Sequence, residues 1–283
     1  MRKDVVIRVT VAAMAAVGLW LAWAQNQPPQ PLTMEKASEN VYVIIGDGGN
    51  VAFMPTSEGV IVVDDKFAAD APQILARIKS ITDRPIRYVL NTHQHPDHTG
   101  GNEAMQAARA EIIIQKNARA NMVTGKMPGL PNITFTDESQ VFLGGQEVVA
   151  RHLGRGHTNG DAVIYFPSEK VLHTGDLFVS SGAPFCDADN GGSIKEWSAT
   201  VQKVLQQYDF DTVIPGHGAI AKRADLVKWV TTMATIRDRI QKACVGGAAD
   251  AISRLDLSDL EMRVAAGSLF ARGMPGMCKE LAQ

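Results

Sequence analysis

Residues 93–98 read His-Gln-His-Pro-Asp-His. Imidazole nitrogen and carboxylate oxygen are ligands for zinc and similar divalent metals, and three histidines and an aspartate in six residues concentrate both. If the segment is extended, alternate residues share a face, so His93 and His95 point to one place. Asp97 and His98 then turn toward a second, and the segment offers ligands to two metals rather than one. Three glycine-bearing loops add candidates: Gly156-His157-Thr158, Thr174-Gly175-Asp176 and Pro215-Gly216-His217-Gly218. Glycines beside ligands let backbone and metal approach closely. Two divalent ions roughly 3.5–4 Å apart can share a water and lower its pKa toward 7. That chemistry is hydrolysis of an amide, ester or thioester. One ion polarises the carbonyl and the other stabilises the leaving group, while Asp97 orients the hydroxide and shuttles its proton.

Such side chains need a rigid scaffold, and strand-end loops supply one. Val41–Ile45 and Val51–Met54 read as strands around a tight hairpin turn at 46–50. Val60–Val63 is an apolar strand ending at Asp64, and Arg87–Leu90 is another, running into the His-Gln-His-Pro-Asp-His segment. Glu111–Gln115, Val141–Leu143, Glu147–Leu153, Ala162–Phe166, Val171–His173 and Thr212–Ile214 complete the strand set. Helical spacing marks Ala69–Thr82, Asn102–Ala110, Ser193–Tyr208 (with Ser193 as a cap), Asp225–Ala243 and Leu257–Phe270. Met262, Val264, Leu269 and Phe270 read as the core-facing side of that last helix. Two packed sheets with helices outside are expected.

The first 30 residues read differently. Arg2, Lys3 and Arg8 precede the uncharged run Val9–Ala24, which closes on Ala22-Trp23-Ala24 before a polar stretch. This is the layout of a secretory signal cleaved after Ala24, and it implies a periplasmic or secreted protein. The expected organisation is a signal at 1–24, a linker at 25–36, and a single domain at 37–283 with C-terminal helices from about 221. No later run is long and apolar enough to span a membrane. Lys+Arg total 28 and Asp+Glu 30, a net charge of −2, which argues against a nucleic-acid partner. Three cysteines are too few for a disulfide scaffold; Cys244 and Cys278 could pair in an exported protein, or all three could stay reduced.

The ordered ligand set resembles the metallo-β-lactamase superfamily over about residues 37–220. The resemblance implies an α/β fold, a four-layer αββα sandwich with a dinuclear metal site at one edge. It places His93, His95 and His157 on the first metal, Asp97, His98 and His217 on the second, and Asp176 between them. Asp64 resembles the family's outer aspartate that holds a ligand. His152 and His173 match no ligand position and read as packing or supporting groups. The implied cofactor is Zn2+, two per chain, with iron, manganese or cobalt compatible with the same donors.

The stretch GHTNGDAVIYFPSEKVLHTGDLFV and Trp197 resemble the zinc β-lactamases, with three departures. Those enzymes carry a cysteine at the position of Asp176, where aspartate is the habit of glyoxalase II and lactonase-like hydrolases. They place a substrate-gripping lysine where this chain has Val179, and their hairpin over the substrate is longer than Gly46–Asn50. Asn190 could hydrogen-bond an oxyanion, although residues 187–192 also read as a plain turn. The reading is a β-lactamase-like hydrolase acting on a small molecule, with a glyoxalase II-like thioesterase or lactonase as the alternative. A mononuclear-iron persulfide dioxygenase is the alternative of another class, and the complete second ligand set argues against it. The flavin-linked diiron branch would need a carboxylate at Gln94.

Overall fold

The computed structural model describes residues 31–283. Seven strands form one sheet in chain order: β1 (Thr33–Lys36), β2 (Tyr42–Ile45), β3 (Val51–Pro55), β4 (Val60–Val63), β5 (Ile86–Asn91), β6 (Glu111–Gln115) and β7 (Ile133–Phe135). Six form the other: β8 (Glu138–Leu143), β9 (Gln146–Arg151), β10 (Val163–Phe166), β11 (Val171–His173), β12 (Thr212–Ile214) and β13 (Ala221–Lys222). The second sheet runs β13-β12-β11-β10-β9-β8. Strands β4 to β7 pair parallel, as do β11 and β12; the other pairs are antiparallel.

Period-two alternation explains how one apolar strand serves two cores. In β4, Ile61 and Val63 face the second sheet and, with Leu90 and Ile113, pack against its Val148, Ile164, Val171 and Ile214. Val60 and Val62 face outward, where Ile74 and Ile78 of helix α1 (Ala71–Ile81) and Met105 cover them. The second sheet is covered the same way: Leu172 and Val213 meet Trp197, Val201, Trp229, Ile236, Met274 and Met277 from the outer helices. Helix, sheet, sheet and helix layers therefore stack as an αββα sandwich.

Helices α2 (Pro96–Thr99), α3 (Asn102–Ala107) and α4 (Lys116–Thr124) follow strands of the first sheet. Helices α5 (Trp197–Gln207), α6 (Arg223–Ala243), α7 (Ala251–Arg254) and α8 (Leu269–Leu281) belong to the second half. Cys244 and Cys278 form a disulfide, with 5.4 Å between their Cα atoms. Cys186 is free and buried.

Several expectations need correction. Thr33–Lys36, assigned to a linker, pairs antiparallel with β2. No helix runs over 257–270: a single 3-10 turn occupies Ser258–Leu260, and the helix is displaced to Leu269–Leu281. Its sequence carries Gly273, Pro275 and Gly276, breakers that the spacing argument penalises. Met262 and Val264 are half-buried and Leu269 is exposed, so only Phe270 of that set is core. Helix α5 starts at Trp197, so Ser193 lies ahead of it in a turn, where its hydroxyl accepts from Glu196 N at 3.0 Å. The signal at 1–24 lies outside the described residues, among which no helix is long and apolar enough to cross a membrane.

Candidate metal centre

The strand-end loops converge at one edge of the sandwich, and each ring is turned by a hydrogen bond on its far side. Thr92 Oγ1 donates to Asp64 Oδ2 at 2.8 Å, so its lone pair faces His93 Nδ1 at 3.1 Å. His95 Nε2 lies 2.7 Å from Asp187 Oδ2. His157 Nδ1 donates to the carbonyl of Phe185 at 2.6 Å. These partners place the ring protons on the outer nitrogens. The inner nitrogens, His93 Nε2, His95 Nδ1 and His157 Nε2, face one another as bare lone pairs at 3.1, 2.8 and 3.2 Å. Burial above all keeps His157 neutral, lowering it to about 4, and holds His93 well below the usual histidine range.

A second point lies beside the first. His98 Nδ1 sits 2.7 Å from Asp64 Oδ2, which aims Nε2 inward. That Nε2 lies 3.4 Å from His217 Nε2, 3.6 Å from Asp97 Oδ2 and 3.2 Å from Asp176 Oδ1. Asp176 Oδ2 reaches the other way, to 3.5 Å from His157 Nε2, so its carboxylate spans both points. Its buried Oδ1 accepts no hydrogen bond. Burial opposes charge on Asp97, but His98 and His217 outweigh it and bring the carboxyl down to about 2. Burial likewise opposes a proton on His217, but Asp176 and Asp97 push it up to about 9. Lone pairs converging at one point and two ionised carboxylates at the next suit two cations, and His93, His95 and His157 on one side and Asp97, His98 and His217 on the other could hold them.

Neighbouring elements fix these loops. Both indoles, of Trp197 and Trp229, donate to the carbonyl of Leu177, at 2.9 and 2.8 Å, which pins the turn carrying Asp176. Asn50 bridges the β2–β3 hairpin to the Pro215–Gly218 loop, donating to Gly216 O at 2.7 Å and, through Nδ2, to Pro215 O at 3.0 Å and Gly218 O at 2.9 Å. Close approach demands glycine at two places. A Cβ on Gly49 would lie 2.3 Å from the His98 ring, and one on Gly216 would lie 1.9 Å from Asp176 Oδ1.

Residues 38–217 match the family model described as the metallo-beta-lactamase superfamily. The chain belongs to this superfamily. It is a metal-dependent hydrolase, as its metallo-beta-lactamase relatives are. A metallo-beta-lactamase type 2 from Elizabethkingia meningoseptica is 24% identical over 222 residues, 73% of this chain and 86% of the relative. Metallo-beta-lactamase IND-1 from Chryseobacterium indologenes is 27% identical over 178 residues, 59% of this chain and 71% of the relative. Among solved structures, a metallo-beta-lactamase from Pontibacter korlensis superposes with a TM-score of 0.65 at 24% identity, covering 72% of this chain and 99% of its own. The DIM-1 metallo-beta-lactamase gives 0.64 at 23%, covering 72% and 97%. These likenesses show the shared fold.

All seven candidate ligands lie together, and Asp64 sits behind two of them. Asn190 has a use other than an oxyanion contact: its Nδ2 donates to Asp187 Oδ2 at 2.7 Å and steadies that carboxylate. His173 supports the site from below, with Nε2 3.0 Å from Asn50 O and Nδ1 accepting from Gly175 N at 3.1 Å. His152 Nδ1 lies 2.6 Å from the carbonyl of Asp161. Two residues were not singled out in the sequence. Asp187 turns His95, and Lys66, fully buried at a left-handed φ of 57°, donates to Asp47 O at 3.1 Å and Gly49 O at 2.5 Å in the hairpin turn. Burial lowers the Lys66 ammonium to about 8. Asp187 shares the run Asp187-Ala188-Asp189 with a second aspartate, and no spacing distinguishes the two.

Proposed function

We propose that this chain is an exported hydrolase carrying two zinc ions that cleaves an amide or ester bond of a small molecule. His93, His95 and His157 hold the first ion, Asp97, His98 and His217 the second, and Asp176 both. The observation that carries this reading is the set of inner nitrogens and carboxylate oxygens that face one another while the ring protons point outward to Thr92, Asp187, Phe185 and Asp64. Bound divalent ions supply Lewis acidity at a carbonyl and lower the pKa of water. The protein's own part is proton handling and orientation. Asp97, ionised at neutral pH because its carboxyl lies at about 2, opens to solvent at the start of α2 and accepts a proton from the attacking water. Asp64 and Asp187 keep His98 and His95 in one tautomer throughout. The N-terminal signal pattern supports export.

A carboxylate at Asp176, in place of a thiolate, favours a second reading, a thioesterase or lactonase. Val179, buried and apolar, supplies no cation for a substrate carboxylate. The test is metal analysis of the purified mature chain, followed by a hydrolysis panel of β-lactams, lactones, glutathione thioesters and phosphoesters with and without chelator. Two zinc ions per chain and chelator-sensitive cleavage of β-lactams or esters are expected. Activity confined to thioesters replaces the amide or ester reading, and a single iron per chain replaces the hydrolase with the oxygenase.

A further inference from the structure

Helix α8 lies beyond the residues that match the family, yet its contacts run to the first metal position. We propose that α8 is a positioning element for that position. It presses the 185–192 loop onto His95 and His157, Glu280 is its positioning residue, and the Cys244–Cys278 bond holds it in place. The proposal rests on the metal reading of the site given above.

The loop grips two of the three first-position histidines. Phe185 O takes the His157 ring proton at 2.6 Å, Asp187 N donates to His157 O at 2.9 Å, and Asp187 Oδ2 holds His95 Nε2 at 2.7 Å. A Cβ on Gly192 would stand 2.3 Å from His157 O, so the loop lies directly against that residue.

From behind, α8 touches the same loop on both sides of Asp187. A Cβ on Gly273 would lie 2.6 Å from Cys186 O, and one on Gly276 would lie 2.2 Å from Ala188 Cβ. Two glycines and Pro275 are unfavourable inside a helix, and close backbone contact with the loop is what their small size permits here. One turn further, Glu280 accepts from Ser193 Oγ at 2.5 Å and from Ile194 N at 2.9 Å, where the loop leaves toward α5. The helix is joined to α6 by residues 245–268, which hold only short helical turns, whereas the disulfide links it directly to Cys244 at the α6 C-terminus. Helix α6 is itself anchored to the site through Trp229.

Stepwise Zn2+ affinity, measured by competition with a chromophoric chelator on the full mature chain, tests this. Glu280→Ala is expected to weaken the first-position affinity about tenfold, the lower end for groups that orient a ligand, and to leave the second unchanged. Cys244→Ser with Cys278→Ser is expected to act in the same direction. Lys279→Ala, on the exposed side of α8, serves as the surface control and is expected to change neither. The decisive measurement is a double-mutant cycle: in an Asp187→Ala background, Glu280→Ala costs less than in the wild type, because the route through Asp187 to His95 is gone and only the contact of Phe185 O with His157 remains. Should Glu280→Ala fail to fold, Glu280→Gln, which keeps the volume and one acceptor, takes its place in the cycle. A wild-type chain that binds no zinc overturns the site reading and this inference with it. A wild-type chain that binds two ions, with first-position affinity unmoved by the variants or with additive losses in the cycle, overturns this inference alone.

Discussion

The carboxylate of Asp64 accepts from Thr92 N, Thr92 Oγ1 and the His98 ring, and Thr92 Oγ1 in turn faces His93. One side chain therefore orients a histidine at each metal position. Asp64→Ala is expected to weaken both metal affinities, by roughly 10- to 100-fold, whereas Asp187→Ala weakens the first alone. Chelator competition on the two variants distinguishes them, and equal effects at both positions for Asp187→Ala would contradict the geometry. A second prediction concerns Asp161, whose buried carboxylate accepts from Thr158 N at 2.9 Å and Thr158 Oγ1 at 2.5 Å. Burial outweighs these bonds and pushes its carboxyl up to about 7. An unfolded aspartate titrates near pH 3.9. From there to about pH 7 the unfolded chain has lost a proton that the folded chain keeps, so this contribution is full below the window and falls as pH rises through it. Asp161→Asn removes the titration. In denaturant unfolding of the metal-free chain, the variant should gain on the wild type by roughly 2–3 kcal/mol between pH 5 and pH 8. A difference that does not change with pH would refute the assignment. The candidate ligands were legible because histidines are scarce and tightly spaced. Asp187 was not, because its partner His95 lies 92 positions away and only tertiary structure joins them.

The loops owe their convergence to strands that end at one edge: β4 at Asp64, β5 at the His93 segment, β11 at Asp176 and β12 at His217. The β2–β3 hairpin closes on the same edge, and Gly49 N donates to Asp97 O at 3.1 Å. Gly49→Ala would place a methyl inside contact distance of the His98 ring, so either the hairpin or His98 must move. Loss of the second metal ion with retention of the first is expected by metal analysis, and retention of both would show that the hairpin yields without disturbing His98. Strands of β-branched residues such as Val60–Val63 were legible at their full length because burial on both faces leaves a continuous apolar run. Helix α8 was not legible, since Gly273, Pro275 and Gly276 contradict its pattern and tertiary contact overrides them. Strand β1 was missed because its four residues are partly or fully exposed and carry no apolar alternation.

The two candidate metal positions draw their ligands from both halves of the sandwich. His93, His95, Asp97 and His98 follow β5 of the first sheet; His157, Asp176 and His217 come from loops of the second. Ions held there would tie together sheets that are otherwise joined by apolar packing and by backbone bridges such as Asn50 to Gly216. Removing the ions leaves the inner lone pairs of three imidazoles facing one another, and leaves the Asp176 carboxylate balanced only by the neighbouring imidazoles of His98 and His217. A ligand that binds only the folded state stabilises it by mass action, by about 4 kcal/mol when free metal exceeds the dissociation constant 1,000-fold. For a domain of this size each kcal/mol moves the melting temperature by roughly 2–4 °C, so chelation is expected to lower it by about 8–16 °C. Calorimetry of the chelated chain, then of the same sample titrated back with zinc, measures this. The recovery should be biphasic, because the first position needs no proton release from His93 or His157 while the second must displace the proton that Asp176 and Asp97 hold on His217. A melting temperature indifferent to zinc would mean that the converging side chains do not bind it.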